Sequence, residues 1–165
     1  MKQLKNGVVL FAILLIIWGL LNNTFDPIVW ITGAALALVI AAFSAPQLKV
    51  FSDIRLTPAA FLYTIIYLVV FAKDLLLSNL DVARRVISPK MPINPGIVEA
   101  KTTLKSPMAR MILANSITLT PGTFTVEMRE EMLYIHCLDV TTTNTEEATI
   151  ALVRKFEKYL EVIYG

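Results

Sequence analysis

The residues of this sequence that could take part in chemistry are few, and their spacing does not favour a catalytic site. His136 and Cys137 are the single histidine and the single cysteine of the chain. They are adjacent in a predicted strand, where successive side chains point to opposite faces. One histidine with one cysteine cannot supply the four ligands of a structural zinc ion, and one cysteine excludes an internal disulfide. We predict a packed or surface histidine and a small, inert core thiol.

The acidic residues also lack the spacing of a general acid–base pair or a metal site. Glu127, Glu130 and Glu131 lie beside a predicted hairpin turn, where solvated carboxylates are ordinary. No glycine-rich phosphate loop, nucleophile elbow or metal-ligand spacing is present in the sequence. We therefore predict that the chain is not an enzyme, with no catalytic, cofactor-binding or metal-binding residues and no cofactor.

The apolar segments lack the groups that move ions. A proton relay or a cation carrier needs ionisable side chains inside the membrane. Between Asn6 and Leu48 the only charged residue is Asp26. Lys73 and Asp74 are adjacent further along, hence on different sides of a helix, and suit an interfacial anchor as easily as a relay. Ion transport by this chain alone is not expected.

Charge is distributed unevenly along the 165 residues, of which 56% are hydrophobic. Residues 49–110 carry nine Lys or Arg against four Asp or Glu, and residues 111–165 carry eight acids against four bases. This pattern is typical of a membrane part followed by a small soluble domain. A basic stretch directly after membrane segments faces anionic cytoplasmic lipid. Because no recognition motif accompanies the bases, no nucleic-acid partner is expected.

Two apolar runs, residues 7–21 and 27–43, predict a helical hairpin in the membrane. No small-x-small cleavage pattern follows the first run, and the second begins after a connection of five residues, 22–26. Fifteen and seventeen helical residues reach roughly 22 and 25 Å, against about 30 Å of hydrocarbon, so both crossings need help from their surroundings. Small residues such as Gly19 and Gly33 either allow close helix approach or only fill the membrane.

A third helix is predicted over residues 58–88, from Thr57-Pro58 to Pro89. Its first half is apolar on all sides, and its second half has an apolar face made of Leu76, Leu80, Ala83 and Ile87. Its length and composition permit either a third crossing or a position at the membrane interface. Two crossings satisfy the positive-inside rule better, because the following bases then share the cytoplasmic side: Lys2, Lys5, Lys49, Arg55, Arg84 and Arg85.

The remaining chain predicts a linker and a small α+β domain. Pro89, Pro92 and Pro95 favour an extended polyproline II linker over residues 89–95. Strands are predicted at 97–104, 123–129 and 132–138, with a helix from Pro107 to 117 or 118 and another after Asn144. The fold class is therefore a membrane helical hairpin plus a third membrane or interfacial helix, followed by a cytoplasmic βαββα domain (96–165) with helices on one face.

Thr120-Pro121-Gly122-Thr123 predicts a tight turn at the end of the first domain helix. Proline presets the first central position of such a turn, and glycine permits the positive φ of a type II turn at the second. Uncharged hydrogen-bonding side chains surround the turn: Asn115, Ser116, Thr118, Thr120, Thr123 and Thr125. They suit either a buried turn that satisfies its own backbone or contact with a partner's backbone.

The segment 113–123, LANSITLTPGT, closely resembles the signature of the E subunit of the bacterial multisubunit sodium/proton antiporter of the Mrp (Mnh) type. Residues 79–86 (NLDVARRV), 95–98 (PGIV) and 133–139 (LYIHCLD) resemble further motifs of that family. The order of the motifs and the length agree as well. The resemblance therefore covers essentially the whole chain.

The resemblance implies an accessory subunit that serves assembly or stability of a complex in the bacterial cell membrane. Its partners would be several small membrane subunits and two large subunits, related to those of respiratory complex I, that carry the ion pathways. The complex would exchange cytoplasmic sodium for external protons and so support sodium tolerance and pH homeostasis.

Within such a complex, we expect one helix and one turn to join the subunit to its surroundings. The helix would be the joint, through Asn79, Asp81, Arg84 and Arg85. The turn would fix the domain, through Asn115, Thr118, Thr120, Pro121, Gly122 and Thr123. Two other classes remain open on the sequence alone, a regulatory ligand-binding module and a self-contained homo-oligomeric membrane protein.

Overall fold

A computed structural model of the chain describes residues 2–44 and 53–165, which form two compact units divided between Asp53 and Ile54. The first unit is the predicted hairpin, with α1 at Lys2–Asn22 and α2 at Pro27–Ser44. At 1.5 Å per residue these helices are about 31 and 27 Å long, longer than the apolar runs alone. Flanking residues that are mostly polar supply the added length, and the apolar runs themselves remain shorter than the hydrocarbon core.

Close packing in the hairpin depends on glycines that face tryptophan rings. A Cβ added to Gly33 would overlap the Trp18 ring, and one added to Gly19 would lie 2.7 Å from the Trp30 ring. The Trp18 indole N–H donates a hydrogen bond to the carbonyl of Val29 at 2.9 Å, which holds the ring in place. Of the two interpretations of the small residues, close helix approach is the one that the packing supports.

The helix α3 spans Pro58–Ile87, close to the predicted bounds. Thr57 caps it, because its side-chain oxygen accepts a hydrogen bond from the backbone N–H of Ala60 at 3.1 Å. By length and composition, three described helices are able to cross a membrane: residues 4–22, 27–44 and 58–87. Lys49, used above to infer orientation, lies outside the described residues.

The chain from Pro89 to Pro95 is not one extended polyproline II segment. Met91 has a positive φ of 38°, and its N–H donates to the carbonyl of Ser88 at 3.0 Å, which closes a turn. Asn94 then pairs with the chain beyond the last strand, because its carbonyl accepts from the N–H of Val140 at 2.8 Å. The sequence placed a domain boundary here, whereas the compact units divide before α3, because α3 packs on the domain.

The sheet has three antiparallel strands in the order β1-β3-β2, with β1 at Gly96–Lys101, β2 at Thr123–Arg129 and β3 at Met132–Cys137. The strand predicted at 97–104 ends early, at Lys101. The reason is its partner strand, because Lys101 pairs with Met132, the first residue of β3, and no strand residue remains opposite Thr102. Beyond the strand, Oε1 of Glu157 accepts hydrogen bonds from the Thr102 hydroxyl and the Thr103 N–H, both at 2.6 Å.

Helices cover one face of this sheet. They are α4 at Pro107–Leu119 and a continuous helical stretch made of α5 (Thr145–Ala148), a π-helical segment (Thr149–Arg154) and α6 (Lys155–Tyr164). The inward residues of β1 and β3 are buried in a core around Phe156, and Met128 of β2 packs against it, whereas His136 on the opposite face is exposed. Membrane-type helices followed by a small α+β domain confirm the predicted fold class. Cys137 is buried, as predicted, and burial raises the pKa of its thiol.

Candidate functional site

One side of α3 packs against the α+β domain through residues that recur every three or four positions. The Tyr63 and Phe71 rings lie 6.3 and 6.1 Å, centroid to centroid, from the rings of Tyr159 and Phe156. Between them, the Tyr67 hydroxyl forms a hydrogen bond with the buried hydroxyl of Ser116 on α4. An aromatic stripe at helical spacing therefore makes this side of α3 part of the domain core.

Further along the same side, Asp74 joins α3 to α6. Its Oδ2 lies 2.7 Å from Nζ of Lys155 and 3.4 Å from the hydroxyl oxygen of Thr120. Both members of the ion pair are partly shielded from water, so it is less screened than a fully exposed pair. Of the two adjacent residues that the sequence offered as an anchor, Asp74 contacts the domain and Lys73 is exposed.

Arg85 joins three segments near the end of α3. Its Nε lies 2.7 Å from Oδ2 of Asp81 one turn earlier, and its Nη1 lies 2.8 Å from Oδ2 of Asp139 beyond β3. Nη1 also donates to the carbonyl of Pro92 at 2.7 Å. The planar guanidinium group suits this role because its donors point in fixed, divergent directions.

The predicted turn is present at the end of α4. The N–H of Thr123 donates to the carbonyl of Thr120 at 3.2 Å, and Gly122 has a φ of 90°. The Gly122 carbonyl accepts from the N–H of Leu138 at 2.8 Å, which ties the turn to the end of β3. The Thr123 hydroxyl donates to the carbonyls of Ile117 and Thr120 at 2.6 and 3.0 Å. The hydrogen bonds of the Thr123 side chain therefore stabilise the local backbone of the turn.

A cleft of about 220 Å³ opens between α3, this turn and the chain after β3. Ser78, Thr141 and Thr142 contribute to its wall, together with Lys155, which directly follows the π-helical segment. The structure brings six of the predicted residues to this cleft: Asp81, Arg85, Thr120, Pro121, Gly122 and Thr123.

The other four predicted residues lie elsewhere. The Asn79 amide donates to the carbonyl of Leu75 in its own helix at 2.7 Å, and Arg84 is exposed. Asn115 is exposed on α4. The Thr118 hydroxyl accepts from the N–H of Thr125 at 3.2 Å and so secures the start of β2. The predicted set is therefore split between the cleft and local structure.

Sequence reasoning missed Glu157, a fully buried carboxylate. Besides its bonds to Thr102 and Thr103, its Oε2 lies 2.9 Å from Nη1 of Arg154. These donors meet the requirement that a buried charge be hydrogen-bonded. A signal was available, because Glu157 falls at the helical spacing of Val153 and Leu160, on the apolar side of α6.

Metal-binding clusters of three or more His, Cys, Asp or Glu side chains are not found among residues 2–44 and 53–165. The charged groups at the cleft form ion pairs between segments of the domain. Together with the turn, they can hold α3, β3 and α6 in fixed positions and present a shaped polar surface beside α3.

Comparison with known proteins links this fold to antiporter subunits. Residues 11–163 match the family model described as Na⁺/H⁺ ion antiporter subunit. The E subunit of the Na⁺/H⁺ antiporter of Bacillus subtilis strain 168 is 30% identical over 162 residues, covering 94% of this chain and 96% of that protein. The corresponding protein of Alkalihalophilus pseudofirmus is 32% identical over 136 residues, covering 81% and 83%.

A solved structure resembles nearly the whole chain. It is a chain of the membrane-bound sulfane sulfur reductase, an archaeal respiratory membrane complex. The TM-score is 0.86 at 41% sequence identity, covering 97% of this chain and 99% of that one.

Proposed function

The chain belongs to the family of E subunits of Na⁺/H⁺ antiporters, and from this premise we propose that it is a non-catalytic accessory subunit of a multisubunit cation/proton antiporter. Its task in this proposal is assembly or stability of the complex. The complex as a whole supports sodium efflux and pH homeostasis.

The observation that carries the proposal is the composition of α1 and α2. Residues 7–25 and 27–44 contain no Asp, Glu, Lys, Arg or His. Ion exchange across a membrane requires ionisable groups that bind and release protons or cations at depth. The helices α1 and α2 therefore supply no ion pathway, and we propose that the pathways lie in two large complex I-like subunits, accompanied by several small membrane subunits.

The internal pairing of the α+β domain supports a structural task. Arg85 and Asp74 on α3 form ion pairs with the domain, and Glu157 joins the last helix of the domain to the chain after β1. A domain held in this way presents a fixed surface to neighbours. We place it in the cytoplasm, because residues 22–26 between α1 and α2 hold an acid, Asp26, and no base.

The likeness to a chain of the archaeal reductase complex adds independent support. That complex is described as respiratory, whereas the curated relatives are described as antiporter subunits. A similar chain in complexes of different chemistry is what a shared structural subunit predicts, whereas the fold alone does not define a reaction.

The cleft beside α3 is the feature that favours a second candidate function, a ligand-binding module. Its volume of about 220 Å³ lies below the ~300–1,000 Å³ of typical small-molecule sites. Its charged groups are also engaged in ion pairs. The accessory role is therefore the function that the geometry supports better.

The proposal is tested by mild-detergent purification of the tagged chain from its native membrane, followed by mass spectrometry. We expect several small membrane subunits and two large antiporter-like subunits to be recovered with it. Recovery of the chain alone, under conditions that preserve large complexes, would contradict the accessory role.

The non-catalytic part of the proposal needs a separate measurement. Asp26→Asn removes the one charged side chain of residues 7–44. Sodium-driven proton movement in vesicles, normalised to the amount of assembled complex, should stay unchanged. A loss of transport with normal assembly would mean that this chain takes part in ion movement.

A further inference from the structure

The helix α3 is bound to the α+β domain along its whole length. Aromatic and ionic contacts run from Tyr63 to Arg85, a distance of about 33 Å along a helix. Before the helix, the N–H of Arg55 donates to the carbonyl of Ile163 at 2.9 Å. After it, Asn94 pairs with Val140. Both ends of α3 are therefore attached to the same domain.

The opposite side of α3 is apolar and exposed over the same length. Its members follow one another at spacings of three, four or seven residues, so they form one continuous stripe. They are Leu62, Ile65, Val69, Leu76, Leu80, Ala83 and Ile87. A soluble surface rarely exposes an apolar area of this extent without a partner.

A third crossing conflicts with this packing, although α3 is long enough for one. If α3 crossed the bilayer, the domain packed along it would enter the hydrocarbon as well. Exposed charged residues of that domain, such as Glu146, Glu147, Lys158 and Glu161, would then lose their water. Charged groups in lipid are tolerated only when they are paired or reach the interface.

We infer that α3 lies in the plane of the membrane at its surface, with the apolar stripe in the lipid and the α+β domain on the water side. The occupant of the stripe is a bilayer that contains anionic lipid. Lys73 and Arg84, both exposed and three helical turns apart, lie on one flank of the stripe. This is the position from which bases reach headgroup phosphates in interfacial helices.

The side of the membrane that α3 occupies rests on the proposed function and its orientation, whereas the in-plane position of α3 does not. Site-directed labelling separates the two in membranes that contain the full complex. The background variant Cys137→Ala removes the single cysteine of the chain. Leu56→Cys and Lys90→Cys then place single thiols at exposed positions before and after α3.

An in-plane helix predicts that an impermeant maleimide labels both positions from the same side. Phe25→Cys, an exposed position in the connection of the hairpin, serves as the control for the other side. Labelling of Leu56→Cys and Lys90→Cys from opposite sides would overturn the inference. Labelling of both from the outside only would leave the in-plane position intact and contradict the cytoplasmic placement of the domain.

Depth measurements identify the occupant of the stripe. A fluorophore is attached to one cysteine at a time in complexes reconstituted into vesicles with lipid-attached quenchers. The labelled variants are Leu62→Cys, Val69→Cys and Leu80→Cys. We expect equal, shallow quenching at the three positions and none at Glu147→Cys on the domain surface. A maximum depth at Val69→Cys indicates a crossing, and absence of quenching along the stripe indicates a protein partner; either result overturns the inference.

Discussion

Nη1 of Arg85 lies 2.8 Å from Oδ2 of Asp139, fifty-four positions later in the chain. The same guanidinium group contacts Asp81 and the carbonyl of Pro92. The end of α3, the chain that follows it and the end of the sheet therefore share one side chain. Arg85 and its partners are partly exposed, so each contact stabilises the fold only modestly. Substitution of Arg85 removes all of these contacts at once, which makes it the residue to test.

Arg85→Gln is expected to lower the free energy of unfolding of the α+β domain, because it removes two ion pairs and the bond to the Pro92 carbonyl. All five tyrosines lie in the second compact unit and both tryptophans lie in the hairpin. Tyrosine absorbance in mild detergent therefore reports the unfolding of the domain.

Arg84→Gln is the matched control, because it removes the same charge from an exposed neighbour. It should change stability by less than about 0.5 kcal/mol. Equal losses in the two variants would show that the Arg85 contacts add nothing beyond net charge.

Gly122 provides a second prediction, because its φ of 90° is strained for other residues. An added Cβ would meet Val82 and Leu138 at 3.7 and 3.8 Å, ordinary contact distances, so the penalty comes from the backbone. Gly122→Ala should cost about 1–2 kcal/mol, Gly122→Val more and Gly122→Asn less.

The order of these variants is measured by domain unfolding, and their effect on the complex by co-purification of partner subunits. Gly122→Val is expected to reduce co-purification. Normal stability and normal assembly of Gly122→Val would show that this turn is unimportant to the protein.

The turn could be predicted from sequence because Pro121 and Gly122 restrict the backbone locally. The helices were predicted for a similar reason, since apolar runs and caps such as Thr57 are read within a few residues. The π-helical segment Thr149–Arg154 and the early end of β1 were not predicted. The end of β1 depends on its pairing with β3, whose first residue, Met132, lies thirty-one positions after Lys101.

The side of α3 that faces the domain also could not be predicted from the local sequence. Leu76 and Leu80 were correctly grouped on one side, but the apolar side of a helix usually packs inward. Here the inward side is aromatic and polar, because Tyr67 and Asp74 have partners on α4 and α6. Asn79 and Arg84 were predicted to form the joint together with Asp81 and Arg85. Only the latter pair lies at the cleft, because neighbouring helix positions point in different directions.

Burial of Cys137 predicts a decrease in stability at alkaline pH. The thiol pKa is raised in the folded domain, so the unfolded chain ionises first, above about pH 8.5. The folded state is stabilised by keeping this thiol protonated. That contribution is fully present below this pH and is lost as the pH rises through the higher pKa of the folded state.

The measurement compares domain unfolding of the wild type and Cys137→Ala at about pH 7 and 9.5. The difference in stability between the two proteins should shrink as the pH rises, by up to about 1.4 kcal/mol per pH unit. A constant difference would mean that the thiol ionises equally in both states. The folded wild type should also resist alkylation at neutral pH, because the thiol is protonated and buried.

Glu157 is expected to be the most sensitive charged residue of the domain. Glu157→Ala leaves the buried hydroxyl of Thr102 and the N–H of Thr103 without their acceptor. Each unsatisfied buried donor costs about 1–3 kcal/mol, so a loss of several kcal/mol or failure to fold is expected.

Glu157→Gln keeps an acceptor for both donors and should retain the fold at intermediate stability. Glu161→Gln is the matched control, since Glu161 contacts Thr103 at the surface and its loss should cost below about 1 kcal/mol. If Glu157→Ala were as stable as Glu161→Gln, the buried carboxylate would have no structural role.

The hairpin offers a prediction that is independent of the domain, because Gly33 is buried against Trp18. Gly33→Leu forces the ring out of its place and breaks its bond to the Val29 carbonyl, so α1 and α2 should separate. Ala35→Leu adds the same side chain two positions away at an exposed site. Tryptophan fluorescence should shift in Gly33→Leu alone, while tyrosine absorbance of the domain stays unchanged.

Fewer partner subunits should co-purify with Gly33→Leu than with Ala35→Leu if the hairpin is a contact surface, since the two variants differ only in which side of α2 is enlarged. Equal recovery with both would place the contacts that hold the protein in the complex outside the hairpin.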